Sequence, residues 1–140
     1  MSSSDIDRKI AVIFATDLVG YSKHMEKDEN ATLRGLRECN KIIEVIIKKQ
    51  KGRIFNTGGD SVFAEFPSAV AAVDTAVEFQ KQIKVRNDKD TTDVKFEYRI
   101  GVNMGDVIKE GDNLLGDGVN IAARLEALAQ PGGITISKNV

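Results

Sequence analysis

The sequence predicts an α+β domain in which helices cover one face of a mainly antiparallel sheet. One observation behind this prediction is the order of hydrophobic patterns, which reads β-α-α-β-β-α-β-β-α-β along the chain. The other is a glycine-rich turn at residues 57–60 between two alternating runs. A length of 140 residues with 41% hydrophobic content fits one compact domain. We therefore expect a flexible arm at residues 1–7 and a single domain over residues 8–140.

Three segments define the first half of the domain. Residues 9–16 form a nearly continuous apolar run rich in β-branched residues, which is typical of a central strand. Residues 30–51 repeat apolar side chains at steps of three and four, which predicts a long helix that Gly52 ends in the C′ position. Residues 53–56 and 61–66 alternate on either side of the turn, and so predict a β-hairpin.

The second half alternates between helices and strands. The predicted elements are a helix from Pro67, a strand at residues 94–104, another at 107–109 after a Gly105-Asp106 turn, a helix from Gly116 and a last strand at 134–137. Residues 87–92 are predicted to be a charged, solvated loop. Residues 110–113 are predicted to be a further turn.

Composition argues against several classes of function. Twenty basic and twenty-one acidic residues nearly cancel, so no overall field favours a nucleic acid or an anionic membrane. No apolar run approaches the roughly 20 residues of a membrane span, and the first residues lack a signal-peptide pattern. We therefore expect a cytoplasmic protein without membrane insertion. Cys39 alone forms no intrachain disulfide, and the single histidine, His24, belongs to no recognisable catalytic triad.

Two aspartates are candidate metal ligands. Asp17 ends the first strand, and Asp60 lies at the tip of the hairpin. The long helix between them allows the two strands to be neighbours, so the carboxylates are expected to converge. Converging carboxylates suit divalent ions that carry phosphates, the arrangement used in phosphoryl transfer. Taken alone, Asp60 is better explained as a turn residue, and Asp17 is explained equally well as a strand-end cap.

The segment after Asp17 predicts a place for phosphate oxygens. Gly20 offers a sharp turn, and Ser22 offers an N-cap for a helix that begins just beyond the strand. Backbone N–H groups at such a position can receive phosphate oxygens.

A polar pair on the fourth predicted helix is a second candidate site. Asn120 and Arg124 are four residues apart and therefore share one helical face. An amide and a guanidinium that point the same way can clamp a phosphate. Without further context, ordinary exposed surface explains the pair better.

Four segments occur in a recognisable order and spacing: Phe14-Ala-Thr-Asp17-Leu-Val-Gly-Tyr-Ser22, Asn56-Thr-Gly-Gly-Asp60, Tyr98-Arg99-Ile-Gly-Val-Asn-Met-Gly-Asp106 and Gly116-Asp-Gly-Val-Asn120-Ile-Ala-Ala-Arg124-Leu-Glu126. Together they resemble the class III adenylate/guanylate cyclase catalytic domain. The resemblance implies a ferredoxin-like, palm-type fold. It also implies a homodimer, arranged head to tail, with each active site shared between the subunits.

The resemblance assigns roles to individual residues. Asp17, the Leu18 carbonyl and Asp60 would hold two Mg²⁺ or Mn²⁺ ions per site, and Gly20, Tyr21 and Ser22 would hold the triphosphate. Arg99 would reach the leaving phosphates, although a cross-strand partner of an acidic neighbour explains it equally well. Asn120 and Arg124 of the other subunit would orient the ribose and stabilise the attacked α-phosphate. The implied reaction is attack of the 3′-hydroxyl on a nucleoside triphosphate, with loss of pyrophosphate.

The sequence departs from the family at the base and at its end. Asn56 and Asn113 stand where adenylate cyclases have lysine and aspartate and guanylate cyclases have glutamate and cysteine. ATP is the favoured substrate and GTP the alternative. Family members usually continue beyond the last strand, so the domain is expected to be short at its C-terminus.

Two rival functions remain open at this level. One is a catalytically weak or inactive module that dimerises, binds nucleotide and regulates a partner. The asparagine pair and the short C-terminus favour it, whereas retention of Asp17, Asp60, Asn120 and Arg124 favours the enzyme. A diguanylate cyclase is disfavoured, because the Gly58-Gly59-Asp60 turn continues with Ser61-Val62.

Overall fold

A computed structural model of the chain describes residues 6–89 and 94–140. In chain order the elements are β1 (Asp7–Leu18), α1 (Tyr21–Lys27), α2 (Glu29–Lys49), β2 (Arg53–Gly58), β3 (Ser61–Phe66), α3 (Ala69–Lys89), β4 (Tyr98–Glu110), β5 (Asn113–Leu115), α4 (Asp117–Leu128) and β6 (Ile134–Ile136). Asp7 of the expected N-terminal arm belongs to β1, and residues 1–5 of that arm lie outside the described ranges. The expected loop at residues 87–92 lies outside them from residue 90 onward, and residues 87–89 complete α3.

The sheet places β1 at its centre. Its strand order is β2-β3-β1-β4-β5, and β6 pairs with the first half of β4. All neighbours are antiparallel except β4 and β6, which are parallel. The predicted α+β class with a mainly antiparallel sheet is therefore confirmed. No helix in the described ranges combines the length and apolar character needed to cross a membrane.

The two faces of the sheet have separate cores. Val12 and Phe14 of β1 pack with α2 and α3, in a cluster that includes Ile43 and Phe79. Ala11, Ile13 and Ala15, on the other face of β1, pack with Ala122 of α4. The expectation of helices on one face therefore holds for α2 and α3, whereas α4 covers part of the opposite face. This coverage of both faces explains the continuous apolar run at residues 11–15, because such a strand needs apolar side chains on both sides.

β4 begins later than predicted, at Tyr98 and not at residue 94, and it continues without a break to Glu110. The Gly105-Asp106 pair does not form a turn but continues the strand, because β4 pairs with β1 from Tyr98 to Lys109 without interruption. Local turn propensity is overridden by this ladder of backbone hydrogen bonds. The hairpin turn lies instead between Glu110 and Asn113, at the further turn that the sequence predicted.

The end of α2 also differs from the prediction. The left-handed residue is Lys51, with a φ of 62°, and not Gly52. The N–H of Gly52 donates to the carbonyl O of Ile47 at 2.8 Å, so Gly52 occupies the position after the left-handed residue, and α2 ends at Lys49, earlier than predicted. Glycine is needed at position 52 for space, since a Cβ there would lie 2.6 Å from the Phe66 ring.

Candidate active site

Asp60 is fixed against the end of β1. Gly59 takes a φ of 57° in the hairpin turn, so the chain reverses immediately before Asp60. The Leu18 N–H donates to Asp60 Oδ2 at 3.0 Å. Burial raises the pKa of the Asp60 carboxyl, with a smaller contribution from the negative charge of Asp17. Backbone hydrogen bonds from Asp60 itself and from Leu18 oppose this increase. The two predicted aspartates are therefore neighbours.

Asp17 stands directly opposite Arg99 in the register of β1 and β4. The buried Thr16 hydroxyl donates to the carbonyl O of Arg99 at 2.7 Å, which ties the two strands together at this point. The register matches the cross-strand explanation of Arg99. In the described ranges, however, the Arg99 guanidinium forms no ion pair within 4.0 Å, and its buried Nε atom has no hydrogen-bond partner.

A third carboxyl group, which sequence reasoning did not single out, belongs to this site. Glu126 of α4 is only 8% exposed, and its carboxyl group lies close to the Asp17 side chain. Burial, followed by the interaction with Asp17, raises the pKa of Glu126 to about 8. The positive charge of Arg99 acts in the opposite direction. Asp17, Arg99 and Glu126 thus form one electrostatic group under α4.

Gly101 explains why a glutamate reaches this position. In β4, Gly101 pairs with Ala15 of β1, two residues from the Asp17–Arg99 pair and on the same face of the sheet. A Cβ at Gly101 would overlap the carbonyl O of Ala122 and the backbone N of Glu126. The missing side chain therefore lets α4 approach the sheet backbone closely. The only hint in the sequence is the four-residue spacing of Gly118, Ala122 and Glu126, which places them on one helical face.

The predicted phosphate turn follows β1 directly. Gly20 adopts a left-handed conformation with a φ of 68° and precedes α1. Ser22 does not cap the helix as predicted, because it lies inside α1 and Gly20 occupies the N-cap position without a side-chain cap. The Tyr21 ring lies 3.9 Å from the position of a Cβ on Gly59. The turn and the hairpin that bears Asp60 are therefore adjacent.

Asn120 and Arg124 lie on the other side of α4 from Glu126. The buried side of the helix consists of Gly118, Ala122 and Glu126. Asn120 and Arg124 are exposed, and each lies two positions along the helix from the nearest residues of the buried side. The pair therefore shares a face, as predicted, and that face points away from its own sheet.

The two candidate base-reading residues lie on elements in mutual contact. Arg53 of β2 donates to the carbonyl O of Asp112 in the β4–β5 turn at 2.6 Å, so the strands that bear Asn56 and Asn113 are joined there. Asn56 is exposed. The Oδ1 atom of Asn113 accepts from the Leu114 N–H at 2.9 Å. Asn113 therefore has its amide oxygen occupied and presents its NH₂ group as a donor.

The donor set fits Mg²⁺ or Mn²⁺. In residues 6–89 and 94–140 no group of three or more His, Cys, Asp or Glu side chains is arranged to hold a metal ion. Asp17 and Asp60 offer two carboxylates, with the Leu18 main chain between them. Mg²⁺ is usually held by one or two carboxylates, and water and substrate phosphates complete its coordination. The mutual repulsion of Asp17 and Asp60 is the electrostatic condition that a cation relieves.

The cavity between α2 and α3 is separate from the aspartates. A cavity of about 800 Å³ lies between α2 and α3, and its lining includes Arg34, Glu38 and Arg86 but neither aspartate. The carboxylates instead lie half-buried at a strand end.

Comparison with known proteins defines the class. Residues 3–140 match the family model described as the adenylate and guanylate cyclase catalytic domain. The chain therefore belongs to the adenylate/guanylate cyclase catalytic domain family. It is 43% identical over 141 residues to a protein of Rhizobium meliloti (strain 1021) named "Putative adenylate cyclase 3". That alignment covers 100% of this chain but 24% of the Rhizobium protein, so the chain spans about a quarter of that relative's length.

Two solved structures have the same fold. The adenylate/guanylate cyclase/hydrolase from Silicibacter pomeroyi matches with a TM-score of 0.87 and 36% identity, over 96% of this chain and 79% of that one. The adenylyl cyclase CyaB from P. aeruginosa matches with a TM-score of 0.82 and 28% identity, over 96% and 80%. These likenesses confirm the predicted family and fold. The roles of individual residues and the cytoplasmic location stay predictions.

Proposed function

We propose that the protein is a nucleotidyl cyclase that converts a nucleoside triphosphate into a 3′,5′-cyclic nucleotide and pyrophosphate. ATP is the proposed substrate, with GTP as the alternative, and the product would serve as an intracellular second messenger. The observation that supports this most directly is the Leu18 N–H to Asp60 hydrogen bond, which brings a hairpin carboxylate to the strand end that bears Asp17.

Different residues of the chain would bind the metal ions and the phosphates. Asp17 and Asp60 would hold two Mg²⁺ or Mn²⁺ ions, which supply charge neutralisation at the phosphates and activation of the attacking hydroxyl. The amides at Gly20, Tyr21 and Ser22 would receive triphosphate oxygens, since first-turn N–H groups lack partners within their helix. The Arg99 guanidinium, whose Nε lacks a hydrogen-bond partner in the described ranges, would receive the leaving phosphates.

The two faces of α4 support a shared site. Glu126 on the buried face touches Asp17 of its own chain, while Asn120 and Arg124 face outward. One chain is therefore poorly arranged to direct both sets at the same nucleotide. In a head-to-tail homodimer, Asn120 and Arg124 of the partner subunit would orient the ribose and stabilise charge on the α-phosphate.

The proposed activity has a direct test. Purified protein is incubated with ATP, GTP, CTP or UTP and Mn²⁺, and the products are identified by mass. We expect a cyclic purine nucleotide plus pyrophosphate. Asp17→Ala and Asp60→Ala should each lower the rate by more than about 100-fold, because even residues behind a metal ligand often contribute 10–100-fold.

The matched control for these variants is Asp74→Ala. Asp74 is an exposed aspartate of α3, outside the proposed site. Its variant should keep the wild-type rate. If none of the four triphosphates is cyclised by folded, dimeric protein, the enzymatic proposal is wrong and the regulatory module takes its place.

The shared site is tested by mixing two inactive variants. Asp17→Ala lacks the metal side of the site, and Arg124→Ala lacks the outward-facing side. A mixed dimer contains one site with both wild-type halves, so activity should return to at most about one quarter of the wild-type value, from half the dimers with one site each. Exchange of subunits is verified with differently tagged chains. Lack of recovery despite exchange would refute the shared site.

A further inference from the structure

A groove runs along α2 and continues around the N-terminal end of that helix. Its larger part is the cavity of about 800 Å³ between α2 and α3, and its smaller part is a cavity of about 580 Å³ between α1 and α2. Ala31, Arg34 and Val94 line both cavities, so the two parts adjoin. This surface is termed the basic groove. The other charged residues in its walls are Lys23, Lys27, Asp28, Glu38, Arg86 and Lys89.

The basic groove carries positive charge that its own acids do not balance. Asp28 caps α2, and its Oδ1 atom accepts from the Ala31 N–H at 3.0 Å. Glu38 forms an ion pair with Arg86 at 2.5 Å. The remaining basic side chains are exposed and form no ion pair within 4.0 Å in the described ranges; they are Lys23, Lys27, Arg34 and Lys89. The chain as a whole is nearly neutral, so this excess of positive charge is local.

The floor of the larger cavity is apolar. Gly35 of α2 lies so close to the buried Phe96 ring that a Cβ at this position would be 2.4 Å from the ring. The Arg86 guanidinium lies 4.8 Å from the centre of the same ring and fills the space between the helices. Beside this contact the apolar walls include Ile42 and Val85, and Val85 is 50% exposed. The groove therefore combines uncovered apolar surface with a basic rim, which is typical of an interaction site.

An amphipathic helix fits this surface better than a nucleic acid or a membrane does. A groove between two helices can receive the apolar face of a third helix. Single-stranded nucleic acids need aromatic side chains on which bases stack, and the described walls of both cavities contain no Phe, Tyr or Trp. Membrane binding needs apolar side chains that protrude into the bilayer, whereas those of the basic groove line a concave surface.

We propose that the basic groove is a docking site for an amphipathic helix of a partner protein. The apolar stripe of that helix packs on Ile42 and Val85, and acidic side chains beside the stripe pair with Arg34 and Lys89. This inference goes beyond the proposed function, because it assigns no step of the chemistry to these residues. The smaller cavity also reaches Gly20, so a docked helix would end beside the proposed phosphate turn.

The test uses a fluorescein-labelled synthetic helix of about 18 residues, with leucines at steps of three and four and glutamates on both sides of them. Fluorescence anisotropy with the intact protein, in EDTA and without nucleotide, should give a Kd below about 100 μM, as expected for a weak interface. The Kd should rise at least about fivefold between about 50 mM and about 300 mM NaCl, because salt screens exposed charges. The same helix with lysines in place of the glutamates should bind at least about tenfold more weakly.

Two double variants locate the binding surface. Arg34→Glu with Lys89→Glu should weaken binding of the acidic helix at least about tenfold, because like charges then face each other. Arg37→Glu with Lys84→Glu is the matched control. It makes the same change of charge at exposed residues of the same two helices, outside the walls of both cavities, and should keep the Kd within about threefold.

Several results would overturn the proposal. One is the absence of saturable binding of the acidic helix up to about 1 mM. Another is an equal loss of binding in the control variant, which would indicate attraction by overall charge alone. Displacement of the helix by ATP in EDTA would assign the groove to the nucleotide. Tighter binding of single-stranded DNA or of vesicles with anionic lipid, sensitive to Arg34→Glu with Lys89→Glu, would assign it to those partners.

Discussion

The substitution Glu126→Gln should change how the stability of the metal-free protein depends on pH. In the folded protein the pKa of Glu126 is raised from 4.5 to about 8 by burial and by Asp17. Between these two pH values the unfolded chain carries the ionised form, whereas the folded protein keeps the proton. The stability that this proton provides is complete below pH 4.5 and is lost as the pH rises towards 8. Glutamine does not titrate, so its variant lacks this loss.

The magnitude follows from the width of the window. Each pH unit within it lowers the free energy of unfolding by about 1.4 kcal/mol for one proton. From pH 5.5 to 7.5 the loss in wild type therefore approaches about 2.7 kcal/mol. With an m-value of about 2 kcal/mol/M, the urea midpoint falls by about 1.3 M more in wild type than in Glu126→Gln.

The assay is urea denaturation at these two pH values in EDTA, at one fixed protein concentration. The signal is far-UV circular dichroism, because the chain has no tryptophan. Glu65 is a second acid with a shifted pKa. Burial raises the pKa of Glu65, but hydrogen bonds with Lys9 and Arg53 and the charges of these residues outweigh burial and hold the pKa below its usual value. The stability from Glu65 is lost only as the pH falls below about 4.5, outside the window.

Asp60 also has a raised pKa, which lowers stability with rising pH in the same direction. It is present in both proteins, and the comparison between them therefore isolates residue 126. Parallel changes of the two midpoints with pH would refute the reasoning, because they would mean that Glu126 is not a buried, protonated acid.

Three further predictions concern the fold and the base. Gly101→Ala should lower the free energy of unfolding by about 1–3 kcal/mol in urea titrations, because its Cβ meets helix backbone that cannot rotate away; an unchanged midpoint would contradict the close approach of α4. Lys51→Gly should raise the free energy of unfolding by about 1 kcal/mol, because glycine adopts a φ of 62° without the strain that lysine has there; any loss of stability would count against that account. Asn56→Lys with Asn113→Asp should raise the ratio of kcat/KM for ATP over GTP, because the lysine donates to adenine N1 and the aspartate accepts from the adenine amine. If that ratio does not rise, these positions do not contact the base.

For the base-reading residues, the structure adds a detail about Asn113 that the sequence does not contain. From the sequence, each asparagine amide is free to present either its oxygen or its nitrogen, so wild type is expected to discriminate poorly between ATP and GTP. In the structure the Asn113 oxygen is occupied by the Leu114 N–H. An aspartate at 113 keeps one oxygen for that N–H and has a second for the base.

The convergence of Asp17 and Asp60 was predictable because it depends on local signals. A strand that stops at a polar residue and a glycine turn between alternating runs are both visible in the sequence. Pairing of the two strands then leaves few positions for the carboxylates. The prediction of a turn at Gly105-Asp106 was wrong for the converse reason. A local turn signal was overridden by pairing of β4 along all of β1.

Glu126 could not be found in this way. An acidic residue on an amphipathic helix is normally assigned to solvent, and its burial here depends on Gly101, which is distant in sequence. The same close contact explains why α4 covers the second face of the sheet. Ala15 and Gly101 leave room for a helix backbone only on that face. Small residues in strands report close approach of another backbone, but they do not say which one.

The position of α4 also connects two parts of the proposed mechanism. Its buried face contacts Asp17 through Glu126, and its outer face presents Asn120 and Arg124. In a head-to-tail dimer these faces serve different active sites, so each α4 would touch both. A shift of the whole helix, as expected for Gly101→Ala, should then affect Mn²⁺ affinity and kcat together.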